Sequence, residues 1–134
     1  MDPVSVLVVD NHPAFLDAVT RFLREECRGE VVVVGTASGG QEALAQARRL
    51  QPQVILLDLR MPGLSGLKAI PLLRGALPEA GIIALTLLDT DAHRQAALAS
   101  GADDFVSKSS IDTDLLPAIR RVARPGRGPN SPNS

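Results

Sequence analysis

Five residues carry the chemistry this chain can offer: Asp10, Asn11, Asp58, Thr86 and Lys108. Each stands at or just beyond the end of a short aliphatic run. Two carboxylates brought together repel, and both stay ionised most readily when a cation joins them. Hard oxygen ligands with open positions suit Mg²⁺, which takes one or two carboxylates together with phosphate oxygens. No thiolate cluster or paired histidine offers itself to zinc. An aspartate beside Mg²⁺ can act as a nucleophile toward phosphorus and form an aspartyl phosphate. Lys108 would neutralise charge developing on the phosphoryl group, and Thr86 would donate a hydrogen bond to it.

That chemistry needs the five residues on one edge of the fold. Five runs, Val4–Val9, Val31–Val34, Val54–Leu57, Ile82–Leu85 and the weaker Phe105–Val106, are apolar throughout rather than alternating. Such runs are expected of strands buried on both faces of a parallel sheet. Helical patterns fill the gaps. Pro13 suits a first helical position, followed by Phe15, Val19 and Phe22 on one face. Ser38 with Gln41 reads as a capping box before Ala43, Leu44, Ala47 and Leu50, with Pro52 closing the helix. Ser65 reads as the cap of a third helix, in which Pro71 predicts a kink or a late start. A fourth helix runs from Asp91 to Ser100 with Gly101 as its stop. The last uses Leu115, Ile119 and Val122, with Pro117 read as lying early enough to be tolerated. Strand–helix alternation of this kind predicts an α/β fold, a doubly wound five-stranded parallel sheet. All strand C-termini then share one edge, where ligands bind. Asp10-Asn11, Asp58, Thr86 and Lys108 converge there, while Gly35-Thr36-Ala37 after the second run offers nothing comparable.

Composition sets the outer bounds. The 134 residues make one ordinary domain, and a formal net charge of −1 supplies no basic field for coating nucleic acid or an anionic membrane. A single cysteine, Cys27, rules out an intrachain disulfide. No apolar run approaches a membrane span, and Met1-Asp2-Pro3 lacks a signal-peptide start, so a cytoplasmic protein is expected. With three phenylalanines and no Trp or Tyr, the core must be aliphatic. Residues 1–124 are read as the folded domain, and 125–134 (PGRGPNSPNS) as a flexible tail or the start of a linker.

The segments VLVVDNHPAF, VILLDLRMPGLSG, IIALT and GADDFVSK together resemble the receiver domain of two-component response regulators. The His-Pro after the first acidic site and the non-proline after Lys108 resemble the subfamily with a C-terminal helix-turn-helix DNA-binding domain. The resemblance implies a flavodoxin-like sheet of strand order 2-1-3-4-5. It implies that Asp58 accepts a phosphoryl group from a sensor histidine kinase. Asp10, Asn11, Asp58 and the Arg60 backbone carbonyl would hold Mg²⁺, and Lys108 would pair with the phosphate. Thr86 and Phe105 would form the switch, Thr86 moving toward the phosphate and Phe105 swinging inward. The surface of helix 4, strand 5 and helix 5 would then control dimerisation or an output domain in transcription regulation. DNA would be reached only through an output domain absent from this chain, and no membrane is involved.

Two departures matter. The family has a second acid where this chain has Asn11, which implies weaker Mg²⁺ binding and slower phosphorylation. Leu87 follows Thr86 where the family prefers a small residue, which predicts a long-lived phosphoryl group. They leave open a receiver that signals by protein–protein contact without phosphorylation, or a stand-alone receiver that binds a partner. A phosphatase-like enzyme using Asp58 is a third reading. A Ser65–His12–Asp58 hydrolase lacks a nucleophile elbow, and Gly63 with Gly66 forms no dinucleotide signature. His12 reads as a helix-start residue, His93 as a solvated one, Cys27 as core, and Arg120, Arg121, Arg124 and Arg127 as a modest basic end.

Overall fold

The computed structural model describes residues 2–61, 63–87 and 91–123. The tail read at 125–134 lies outside the described residues, as do Arg124 and Arg127. Five strands alternate with five helices: β1 (Val4–Val9), α1 (Pro13–Glu26), β2 (Val31–Ala37), α2 (Gly40–Leu50), β3 (Val54–Asp58), α3 (Gly66–Ala76), β4 (Gly81–Thr86), α4 (Asp91–Ser100), β5 (Asp104–Ser107) and α5 (Ile111–Val122). A 3₁₀ turn, Lys108–Ser110, links β5 to α5. The sheet is parallel, in the order β2-β1-β3-β4-β5.

The unbroken apolar runs are explained by two cores, one on each face. Leu7, Val9, Ile55, Leu57, Ile82 and Ala84 pack under α2, α3 and α4. Val6, Val8, Val54, Leu56, Ile83 and Leu85 pack under α1 and α5. Successive strand residues point to opposite faces, so only an all-aliphatic strand can serve both layers. Phe105 belongs to the first layer and Val106 to the second. Edge strand β2 is the exception, with Val32 exposed.

Several local expectations are corrected. β2 continues past Val34 to Ala37, because Gly35, Thr36 and Ala37 pair with Leu7, Val8 and Val9 across a register shift. The N-cap of α2 is Gly39, not Ser38, and it has no side-chain cap. Glu42, not Gln41, reaches back, and its Oε1 accepts from both the Ser38 amide and hydroxyl at 2.9 Å. These two hydrogen bonds hold the Glu42 carboxyl below its ordinary value. Ser65 does cap α3, accepting from the Lys68 amide. Pro71 neither delays that helix nor ends it: it sits exposed inside Gly66–Ala76, where it forfeits one backbone donor. Pro117 lies inside α5 rather than near its start.

One glycine bears directly on the site. A Cβ at Gly66 would run into the Asp58 carbonyl oxygen and the Leu59 Cα. The start of α3 therefore sits directly on the end of β3, and only glycine permits that approach.

Candidate functional site

β1 lies between β2 and β3, so the connections from β1 and β3 leave in opposite directions, opening a crevice at the sheet's carboxyl edge. Asp10 follows β1, Asp58 ends β3, Thr86 ends β4 and Lys108 follows β5. Four of the five expected residues stand there, and Asn11 follows Asp10 directly. Asp10, Asp58 and Thr86 are buried.

The Lys108 ammonium lies 2.6 Å from Asp10 Oδ2 and 3.4 Å from Asp58 Oδ1, with only 6% of its side chain exposed. One cation thus serves two buried carboxylates. The Asp10 Oδ2 contact with Lys108 is an ion pair. Asp10 Oδ1 accepts from the His12 amide at 2.8 Å, and His12 Nδ1 is 3.3 Å away. Asp58 Oδ1 accepts from the Arg60 amide at 3.1 Å. Burial pushes the Asp58 carboxyl above its ordinary pKa. The Arg60 amide pulls it down, the Asp10 charge pushes it up and Lys108 pulls it down.

The cation-ligand expectation can be tested on the oxygens. The side-chain amide of Asn11 lies 3.1 Å from the Arg60 carbonyl oxygen and 3.2 Å from Asp58 Oδ2. Asp10, His12 and Asp58 also bring potential ligand atoms within 4.8 Å of one another. The donor set is mainly hard oxygen with net negative charge, and it fits Mg²⁺. Asp58, Asp10, the Asn11 side chain and the Arg60 carbonyl are the residues that would hold it.

An open cleft of about 510 Å³ leads to this cluster, lined by His12, Arg60, Met61 and Leu87 besides Asp58, Thr86 and Lys108. Leu87 is 72% exposed at its mouth, where the steric expectation needs it. Phe105 sits in the core. It is buried, with the Arg94 guanidinium 4.9 Å from its ring centroid. The aliphatic layer under α4 and the covering arginine account for that position.

Two contributors were not read as site residues. His12, taken as a helix-start residue, is indeed the N-cap of α1, but it also binds Asp10. Its spacing two residues after an aspartate at a strand end was the available signal. Phe15 was read only as an apolar helix position, yet its ring centroid lies 4.3 Å from the Lys108 ammonium. Helical periodicity carries no hint of that contact.

Comparisons with known proteins agree with this geometry. The family model described as "Response regulator receiver domain" matches residues 6–120. The transcriptional regulatory protein MctR of Rhizobium johnstonii is 36% identical over 92% of this chain and 56% of that protein. Response regulator GacA of Pseudomonas viridiflava is 35% identical over 89% of this chain and 55% of its own length. This chain therefore spans just over half the length of these relatives. Among solved structures, the signal receiver domain of the putative response regulator NarL from Mycobacterium tuberculosis matches with a TM-score of 0.83 at 35% identity, covering 92% of this chain and 98% of that one. A LuxR-family two-component response regulator from Aurantimonas sp. SI85-9A1 matches with a TM-score of 0.85 at 29% identity, covering 98% of this chain and 92% of that one.

Proposed function

The chain belongs to the response regulator receiver domain family, and on that premise we propose that it is a phosphorylation switch in which Asp58 takes a phosphoryl group from the phosphohistidine of a sensor kinase. The observation that carries this reading is one buried ammonium shared between Asp10 and Asp58 at the carboxyl edge of the sheet. Asp58 Oδ1 accepts from the Arg60 amide and lies 3.4 Å from the Lys108 ammonium, while Oδ2 lies beside the Asn11 side chain, so the attacking carboxylate is flanked by a cation and an amide. An Asp58 oxygen–phosphorus bond forms as the phosphorus–nitrogen bond breaks, and the imidazole leaves with a proton. Bound Mg²⁺ would supply charge neutralisation for the phosphoryl oxygens. Lys108 exchanges part of its pairing with Asp58 for the new phosphoryl oxygens, and Thr86 at the end of β4 is placed to meet them. The new dianion biases a two-state element. That element is the face formed by α4, β5 and α5, which would pass the signal to dimerisation or to a DNA-binding output domain such as the relatives' extra length would accommodate.

The output is binding rather than turnover of a metabolite. Among the described residues no helix is long and apolar enough to cross a membrane; a cytoplasmic location belongs to the same proposal. Residues 1–124 are proposed as the receiver and 125–134 as tail or linker. A second reading, signalling by protein–protein contact without phosphate, rests on Asn11 standing where the family has a second acid and on Leu87 at the mouth of the cleft.

The test is amide NMR during titration with beryllofluoride and Mg²⁺. Saturable shifts spreading from residue 58 to 86, 105 and α4, and lost in Asp58→Ala, are expected. Shifts that persist in Asp58→Ala, or none in wild type, would overturn the phosphorylation reading in favour of the second.

A further inference from the structure

Lys108 meets an aromatic ring as well as two acids. Its ammonium lies over the Phe15 ring, 4.3 Å from the centroid, while Asp10 Oδ2 and Asp58 Oδ1 lie 2.6 Å and 3.4 Å away. The local sequence places that ring. His12 is the N-cap of α1 and Pro13 begins the helix, so Phe15 falls in the first turn. Helical side chains lean back toward the helix N-terminus, which carries the ring toward the turn that holds Asp10. Lys108 also lines an open groove of about 270 Å³ between α1 and α5, together with Phe15, Ala18, Phe22, Ser109 and Asp112. The lysine thus belongs to the walls of two openings, the cleft over Asp58 and this groove.

We propose that Phe15 is a positioning residue that holds the Lys108 ammonium on the Asp58 side, ready for the phosphoryl group. The inference rests on the phosphorylation reading given above. The negative face of the ring attracts the ammonium, yet it is not a hydrogen-bond acceptor of the kind that would keep the N–H groups from phosphoryl oxygens. That attraction holds within about 6 Å of the ring centroid, so the ammonium can shift across the face as it trades Asp58 for the new oxygens. An aliphatic side chain of similar bulk would fill the space without the attraction. Lys108 would then be free to turn into the groove, where the Asp112 carboxylate competes for it. A long lysine side chain ordered beforehand need not be ordered when the phosphoryl group arrives, so the contact favours the loaded site.

A plainer reading competes, in which Phe15 only packs beside the apolar layer under α1. Phe15→Leu and Phe15→Met keep apolar bulk and remove the ring, so either serves if the other folds poorly. Phe15→Tyr keeps the ring, and the open groove has room for its hydroxyl. Wild type and the variants are titrated with beryllofluoride at saturating Mg²⁺ and followed by amide NMR. The side-chain ammonium signals of Lys108 are recorded on the same samples. The ring-free variants should bind beryllofluoride roughly fivefold more weakly than wild type, the worth of a partly buried cation–π contact, with Phe15→Tyr within about twofold of wild type. The Lys108 ammonium signals should carry ring-current shielding in wild type and Phe15→Tyr and lose it without the ring. Ring-free variants that bind as tightly as wild type would overturn the proposal and leave the phosphorylation reading standing. Phe15→Tyr as weak as Phe15→Leu would overturn it too, because fit alone would then explain the loss. Beryllofluoride that does not bind wild type, or binds Asp58→Ala equally well, would overturn the phosphorylation reading and this inference with it.

Discussion

Replacing Lys108 with methionine keeps the methylene stem and removes the ammonium that Asp10 and Asp58 share. At an effective dielectric of about 20, an ammonium 2.6 Å from one carboxylate and 3.4 Å from another gains about 6 and about 5 kcal/mol of Coulomb energy. Desolvating the ammonium and the acids returns several kcal/mol of that. The net cost of breaking a buried pair by removing one partner is about 3–5 kcal/mol. For a domain of this size that is a fall of roughly 10–20 °C in melting temperature. The assay is urea unfolding at pH 7 in chelator, so that no divalent cation takes over the lysine's role. Adding Asp58→Asn to Lys108→Met should recover about 1–2 kcal/mol, because the two sites share one interaction. The pH dependence gives an independent check. Burial raises the Asp58 pKa, so the folded protein holds that proton more tightly than the unfolded chain does. The Asp58 contribution is therefore most favourable below its unfolded pKa and falls as pH rises through the raised folded value. Removing Lys108 takes away a lowering influence and deepens that fall. A single variant within about 1 kcal/mol of wild type, or an unchanged pH slope, refutes the view that Lys108 holds the acid pair together.

Three further outcomes are expected. Gly66→Ala should destabilise by about 1–3 kcal/mol and weaken beryllofluoride binding, because the new Cβ must push α3 off the end of β3; both are read by urea unfolding and titration. Glu42 is held below its ordinary pKa by Ser38, so its contribution is present above the unfolded value and is lost as pH falls through the folded one. Urea melts across the acid range should show a shallower slope for Glu42→Gln, by a few tenths of a kcal/mol given its exposure. Leu87→Ala opens the mouth of the cleft and should shorten the half-life of the phosphorylated protein, measured by loss of label after removal of the donor; an unchanged half-life removes the steric role of Leu87.

The four main site residues were legible because each ends an aliphatic run, and parallel strands bring their C-termini to one edge whatever the helices do. Asp10, Asp58, Thr86 and Lys108 needed only that rule. What escaped was set by packing rather than pattern. The start of α2 falls after Gly39 instead of Ser38, where a Cβ at Gly40 would strike Leu64. Pro71 is tolerated because it faces solvent and costs one donor. Phe15 reaches Lys108 because the first turn of α1 packs beside the turn after β5, a contact that no local periodicity encodes. The Arg94 guanidinium of α4 reaches the Phe105 ring, one strand–helix unit away, a contact equally invisible to local periodicity.

Intact-protein mass spectrometry after exposure to a small-molecule phosphodonor with Mg²⁺ bears most directly on the switch. The account predicts one phosphoryl group per chain, labile to hydroxylamine as an acyl phosphate is, and absent from Asp58→Ala. No adduct on wild type, or one that survives Asp58→Ala, would contradict it.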